Sequence, residues 1–134
     1  MARARIDDEL GRAAFATVRA IAAEHAAAGD RLGLGASVDR TTLALAVRYS
    51  LQLLAEQAPG GTVEVRVPPY AAVQCIEGPK HTRGTPPNVI ETDAATWIAL
   101  AAGDLSWRDA RDAGRVHASG QRADLADVLP VIPG

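Results

Sequence analysis

"NVIETDAATWIALAAGDLSWRDARDAGRVHASGQRADLADVLPVI", Asn88 to Ile132, decides how this chain is read. It opens on a strand-like run and meets Asp93, a capping residue, directly before "AATWIALAA", where Trp97, Leu100 and Ala101 share a helical face and Gly103 supplies the stop. Ser106 stands three residues before Asp109, the spacing of a capping box, and so opens a second short helix, "WRDARDA", closed by Gly114. "RVHAS" follows as a strand with Val116 and Ala118 on one side. The stretch closes with a predicted turn or two of helix carrying Leu125, Val128 and Leu129, stopped at Pro130.

Working upstream, "TVEVRV" alternates Val63, Val65 and Val67 with Glu64 and Arg66, the period of a strand with one buried face. Pro68 and Pro69 cannot donate ladder hydrogen bonds and mark a bend or passage into a second strand, "YAAVQCIE". Ahead of these, Thr41 to Ala58 places Leu43, Val47, Leu51 and Leu54 on one stripe, widened by Leu45 and Leu53 and ended by "PGG". A first amphipathic helix is predicted from Asp7 to Ala28 on the stripe Leu10, Ala14, Val18, Ile21 and His25. Between the two helices, "GDRLGLGASVDR" reads as a flexible connection. The order is helix, helix, three strands, two short helices, strand, helix, which is an α+β class with a mostly antiparallel sheet. The expected organisation is one domain over 1–134, with a helical part over 1–58 and the sheet with its short helices over 59–134.

Composition bounds the function. A chain of 134 residues buries roughly two-thirds of its unfolded surface without staples. Alanine dominates its apolar residues, so closely approaching helices are expected. A formal charge of −2 argues against nucleic acid, whose binders carry a basic excess. Cys75 is the lone cysteine, which rules out an internal disulfide and points to a reducing, cytoplasmic compartment. No run reaches the length of a membrane span and the first residues lack a signal-peptide pattern, so no integral membrane association is expected.

The Asn88 to Ile132 stretch resembles the closing half of the sterol carrier protein fold: a capped strand end at Asp93, a helix with Trp97, a Gly103–Leu105 turn, a second short helix, the Val116 to Ser119 strand, Gly120 and the Leu125 to Leu129 segment. The likeness extends over roughly Val63 to Ile132. More narrowly, "RVPPYAAVQCIEGPKHTRGTPPNVIETD" is similar to the bacterial sterol carrier orthologue group, in which a helical part precedes this domain. The resemblance implies a sheet packed against helices with an apolar tunnel or cavity between them for a hydrophobic molecule; the two N-terminal amphipathic helices read above, before Pro59, depart from the better-known carriers.

On that reading the cavity walls are Leu43, Val47, Leu51, Leu54, Trp97, Leu100, Leu105, Trp107, Leu125 and Leu129; on the plainer reading the same side chains fill the core. Trp97 is expected in the core, and Trp107, in the first turn of its helix, at the rim of an opening. The basic loop "GPKHTRGTPP" offers Lys80, His81 and Arg83 either to a ligand's polar head or, as a stiff strand connection, to a carboxylate such as Glu77 or Glu91. It has no GxxxxGK[ST] order and is no nucleotide loop.

No catalytic residue is assigned. A Cys75–His81 pair would need a thiolate, and Cys75 sits in an apolar strand where cysteine acts as an inert hydrophobe. His25, His81 and His117 show no zinc-type spacing, so no metal and no cofactor is expected; His25 is read as a helix-end residue and His117 as facing solvent. The partners expected are a hydrophobic small-molecule ligand or, alternatively, a second copy of the chain or a partner enzyme docked on the first helix.

Overall fold

The computed structural model describes residues 4–27, 38–78 and 88–133, with the backbone alone for 25–27. The elements are α1 (Asp8–Ala27), α2 (Arg40–Gln57), β1 (Val63–Val67), β2 (Ala71–Cys75), β3 (Asn88–Thr92), α3 (Ala94–Ala102), α4 (Trp107–Asp112) and β4 (Val116–Ser119). Most of the glycine-rich connection before α2 and most of the basic loop, with Lys80, His81 and Arg83, lie outside the described residues, as does the side chain of His25.

The sheet has the order β2-β1-β3-β4. Pro68 to Tyr70 turn β1 into β2, with the Tyr70 N–H donating to the Val67 carbonyl at 2.9 Å, and the two strands pair antiparallel with Val63 opposite Cys75. β3 then takes the seat beyond β1 and pairs parallel to it, with Val63 opposite Asn88. Cys75 and Asn88 therefore flank the same residue on either side, about 10 Å apart by strand spacing. β4 closes the sheet antiparallel to β3, Glu91 facing His117. Two of the three pairings are antiparallel, as expected, and the central one makes the sheet mixed.

The period-2 pattern sorts the faces. Val63, Val65, Val67, Cys75, Ile90 and Val116 point into the core, and the alternate residues, with Glu91 and His117 exposed, form the outer face. The helices cover the inner face. α2 packs on β2, α1 and α3, and its buried arc takes in Leu43, Ala46, Val47, Tyr49, Ser50, Leu51, Leu53 and Leu54. Helix ends follow the local chemistry: Asp39, Asp93 and Ser106 accept from the backbone N–H groups of Thr42, Thr96 and Asp109. Gly103 closes α3 in the left-handed region at φ 84°, which a residue with a Cβ adopts only at a cost.

The predicted stripe of α1 needs a correction. Leu10 is exposed, and the buried face runs through Gly11, Ala14, Phe15 and Val18. Small residues win the contact because α2 approaches closely: a Cβ on Gly11 would overlap the ring of Tyr49. The predicted C-terminal helix is also absent. Residues 125–129 form a turn, with Val128 N–H on the Leu125 carbonyl and Ala126 N–H on Asp124 Oδ1. The N–H groups of Val131 and Ile132 both donate to the Ala101 carbonyl at 2.9 Å, so the segment is held by the end of α3 instead of by helical bonds of its own. A run this short, ending at Pro130, cannot offset the cost of helix nucleation.

Candidate functional site

The structure gathers the predicted wall residues into one core. Leu43, Val47, Leu51 and Leu54 from α2, Trp97 and Leu100 from α3, Trp107 from α4 and Leu125 from the closing segment are all buried, with Leu105 and Leu129 half-buried against them. Trp97 is fully buried, and its indole N–H donates to Ser50 Oγ at 2.8 Å while Ser50 donates back to the Ala46 carbonyl. A polar pair inside an apolar core is tolerable only with such complete pairing. Trp107 is not at a rim: it is 6% exposed, and its indole N–H has no partner among the described residues.

Three open clefts are bounded by described residues, and none of the predicted wall residues lines them. The first, of about 580 Å³, lies at the end of β3 and β4, with Glu91, Asp93, Arg115 and His117 among its walls. The second, of about 470 Å³, runs along β4 with Arg111, Glu91, His117 and Ser119. Both belong to the charged outer side of the sheet. His117 is exposed there, as expected.

The third is different. A groove of about 340 Å³ runs between α2, β2 and the segment before α1, walled by Ile6, Tyr70, Ala71 and Val73. These four are partly buried and pack against the hydrophobic core, so the groove opens onto the layer between helices and sheet. Its polar residues are Arg48 and Gln52, four apart on α2 and hence on one face. Gln52 fastens the rim: its Oε1 accepts from the Ile6 N–H at 2.8 Å and its Nε2 donates to the Ile6 carbonyl at 3.0 Å. Arg5 adds paired hydrogen bonds to Glu56, at 2.6 and 2.9 Å. Arg48 is half-buried and donates its Nε to the Tyr70 carbonyl at 3.2 Å. Sequence reasoning passed over Arg48, Gln52 and Ile6; the available signal was a cation and an amide at helical spacing beside the broad apolar arc.

Cys75 is buried, and burial pushes its thiol up to about 11, so at neutral pH it stays protonated and is a poor nucleophile. The geometry of a Cys75–His81 pair lies outside the described residues. Among the described residues no three His, Cys, Asp or Glu side chains gather as a metal site, and no helix is long and apolar enough to cross a membrane.

The family of bacterial SCP orthologs, sterol carrier protein-like, matches residues 39–131. The chain belongs to this family. The family match starts at Asp39, the cap of α2, and so reaches back beyond the Val63 where the sequence likeness was placed, taking in α2, all four strands, α3 and α4. α1 and Ile6 precede the matched stretch, so the α2–β2 groove combines family elements with a wall that lies ahead of them. No curated protein matches the chain.

Proposed function

We propose that this protein is a non-enzymatic, cytoplasmic binding or carrier protein for a hydrophobic small molecule, a lipid, sterol or acyl chain. The observation that carries the reading is the α2–β2 groove, whose apolar wall is continuous with the core of a chain in the bacterial SCP ortholog family. We assign the ligand's body to the α2–β2 groove, along Ile6, Tyr70, Ala71 and Val73, with Leu43, Val47, Leu51, Leu54, Trp97 and Leu100 as the apolar layer behind that wall. Trp107, Leu105, Leu125 and Leu129 complete that layer on the side of α3 and α4. Each 100 Å² of apolar ligand surface removed from water there is worth about 2.5 kcal/mol, enough for useful affinity with few polar contacts.

The test is native mass spectrometry of the full chain purified from cells, followed by organic extraction of whatever is released. A stoichiometric hydrophobic adduct is the expected result. A clean apo mass, with no uptake from a panel of acyl and sterol probes, overturns the reading; a stable dimer in the same sample would then favour an accessory domain that docks through α1.

A further inference from the structure

The groove is lined by one charged residue, Arg48, and among the described residues that charge has no counter-ion. Arg48 is the only ionised side chain among those lining the space between Ile6, Tyr70, Ala71 and Val73. Its Nε is committed to the Tyr70 carbonyl, and among the described residues its two terminal nitrogens have neither a hydrogen bond nor an ion pair. Elsewhere Arg5 is paired with Glu56 and Asp8, Arg19 with Asp104, and Arg66 with Glu64. A half-buried guanidinium facing apolar walls is costly to leave unpaired, because it loses hydration without gaining a partner.

The geometry points to Arg48 as the anchor for the anionic head of a single-chain amphiphile, whose hydrocarbon body lies along Ile6, Tyr70, Ala71 and Val73. The inference rests on the hydrophobic-ligand reading above and specifies which end of the ligand the protein grips, and where. The Tyr70 carbonyl turns the guanidinium by its Nε and leaves the Nη pair free, the fork that accepts a carboxylate or phosphate on two hydrogen bonds. The Gln52 clamp on both backbone groups of Ile6 holds the opposite wall, so the groove is shaped before a ligand arrives. Its volume, about 340 Å³, lies at the small end of the range for ligand pockets and suits one chain better than a two-chain lipid.

Isothermal titration of the full chain with dodecanoate, dodecyl phosphate and dodecanol, each below its micellar concentration, tests this. One of the two anions is expected to bind about tenfold tighter than dodecanol, the factor a charge-assisted pair supplies, and the tighter one identifies a free acid or a phosphate head as the source. Arg48→Gln is expected to abolish that preference with dodecanol still bound, and Arg48→Lys to retain part of it. Equal binding of all three probes overturns the anchor and leaves the hydrophobic-ligand reading standing. A preference that survives Arg48→Gln overturns it as well, by placing the head elsewhere. No binding of any probe overturns both readings.

Discussion

Gly11 lies against the ring of Tyr49, and this contact sets how closely α1 approaches α2. Tyr49 is fully buried, and its hydroxyl donates to Asp8 Oδ1 at 2.8 Å while accepting from Arg12 Nε at 3.3 Å. The ring is therefore held at its tip by α1 and covered along its face by the one residue of α1 that has no side chain.

Gly11→Ala should destabilise the protein although it improves helix propensity. The added methyl overlaps a ring that is fixed at both ends, and overpacking of this kind costs roughly 1–3 kcal/mol. The propensity gain is about 1 kcal/mol at most. Steric cost wins, and urea denaturation should show a lower midpoint at unchanged m-value.

Ser50→Ala should cost about 1–3 kcal/mol, because the Trp97 indole N–H would be left buried without its acceptor. Trp97→Phe removes the donor as well. A double-mutant cycle read by chemical denaturation should therefore show the Ser50→Ala penalty largely gone in the Trp97→Phe background. Additive penalties would mean that the hydrogen bond contributes nothing.

Acid should loosen the α1–α2 seam. The Asp8 carboxyl is held below its ordinary 3.8 by the Tyr49 hydroxyl first and by Arg5 second, and Glu56 below 4.5 by its hydrogen bonds with Arg5. With folded values depressed, the stabilisation is present above those ordinary values and is lost as pH falls through the folded ones. Denaturation midpoints measured from pH 7 down to pH 2 should drop at the acid end, and the drop should be smaller in Asp8→Asn.

Cys75 should be almost inert in the native state. A thiol moved from 9.0 to about 11 carries about a hundredfold less thiolate at pH 8, and burial blocks access besides. An aromatic disulfide reagent should therefore react only after urea is added. Rapid native labelling would reopen the nucleophile reading.

Much of the architecture was legible because the local signals agree with one another. Asp93, Ser106 and Gly103 mark helix ends by hydrogen bonds and backbone angles that depend only on near neighbours, and the valines of β1 declare their face by period alone. The broad arc of α2 announced a helix covered on several sides, and the structure covers it with β2, α1 and α3. Leu10 misled because its hydrophobicity fits the stripe, whereas the packing selects for smallness at Gly11, a preference visible only once Tyr49 is seen opposite. Leu125 to Leu129 misled because apolar spacing over a single turn suits a helix and a docked turn equally well, and it is the Ala101 carbonyl that decides between them.

The amino-acid sequence by itself determined the element order, the caps, the inward faces of the strands and the sterol carrier-like family, since each of these rests on residues close together in the chain. Only the tertiary structure decided that β3 seats beside β1 and that Trp107 is buried. It alone showed that Ile6 meets Gln52, and that Arg48, beside Tyr70, Ala71 and Val73, has no counter-ion among the described residues. Those facts depend on contacts between segments distant in sequence, where burial and charge compensation are properties of the assembled surfaces and not of any one helix or strand.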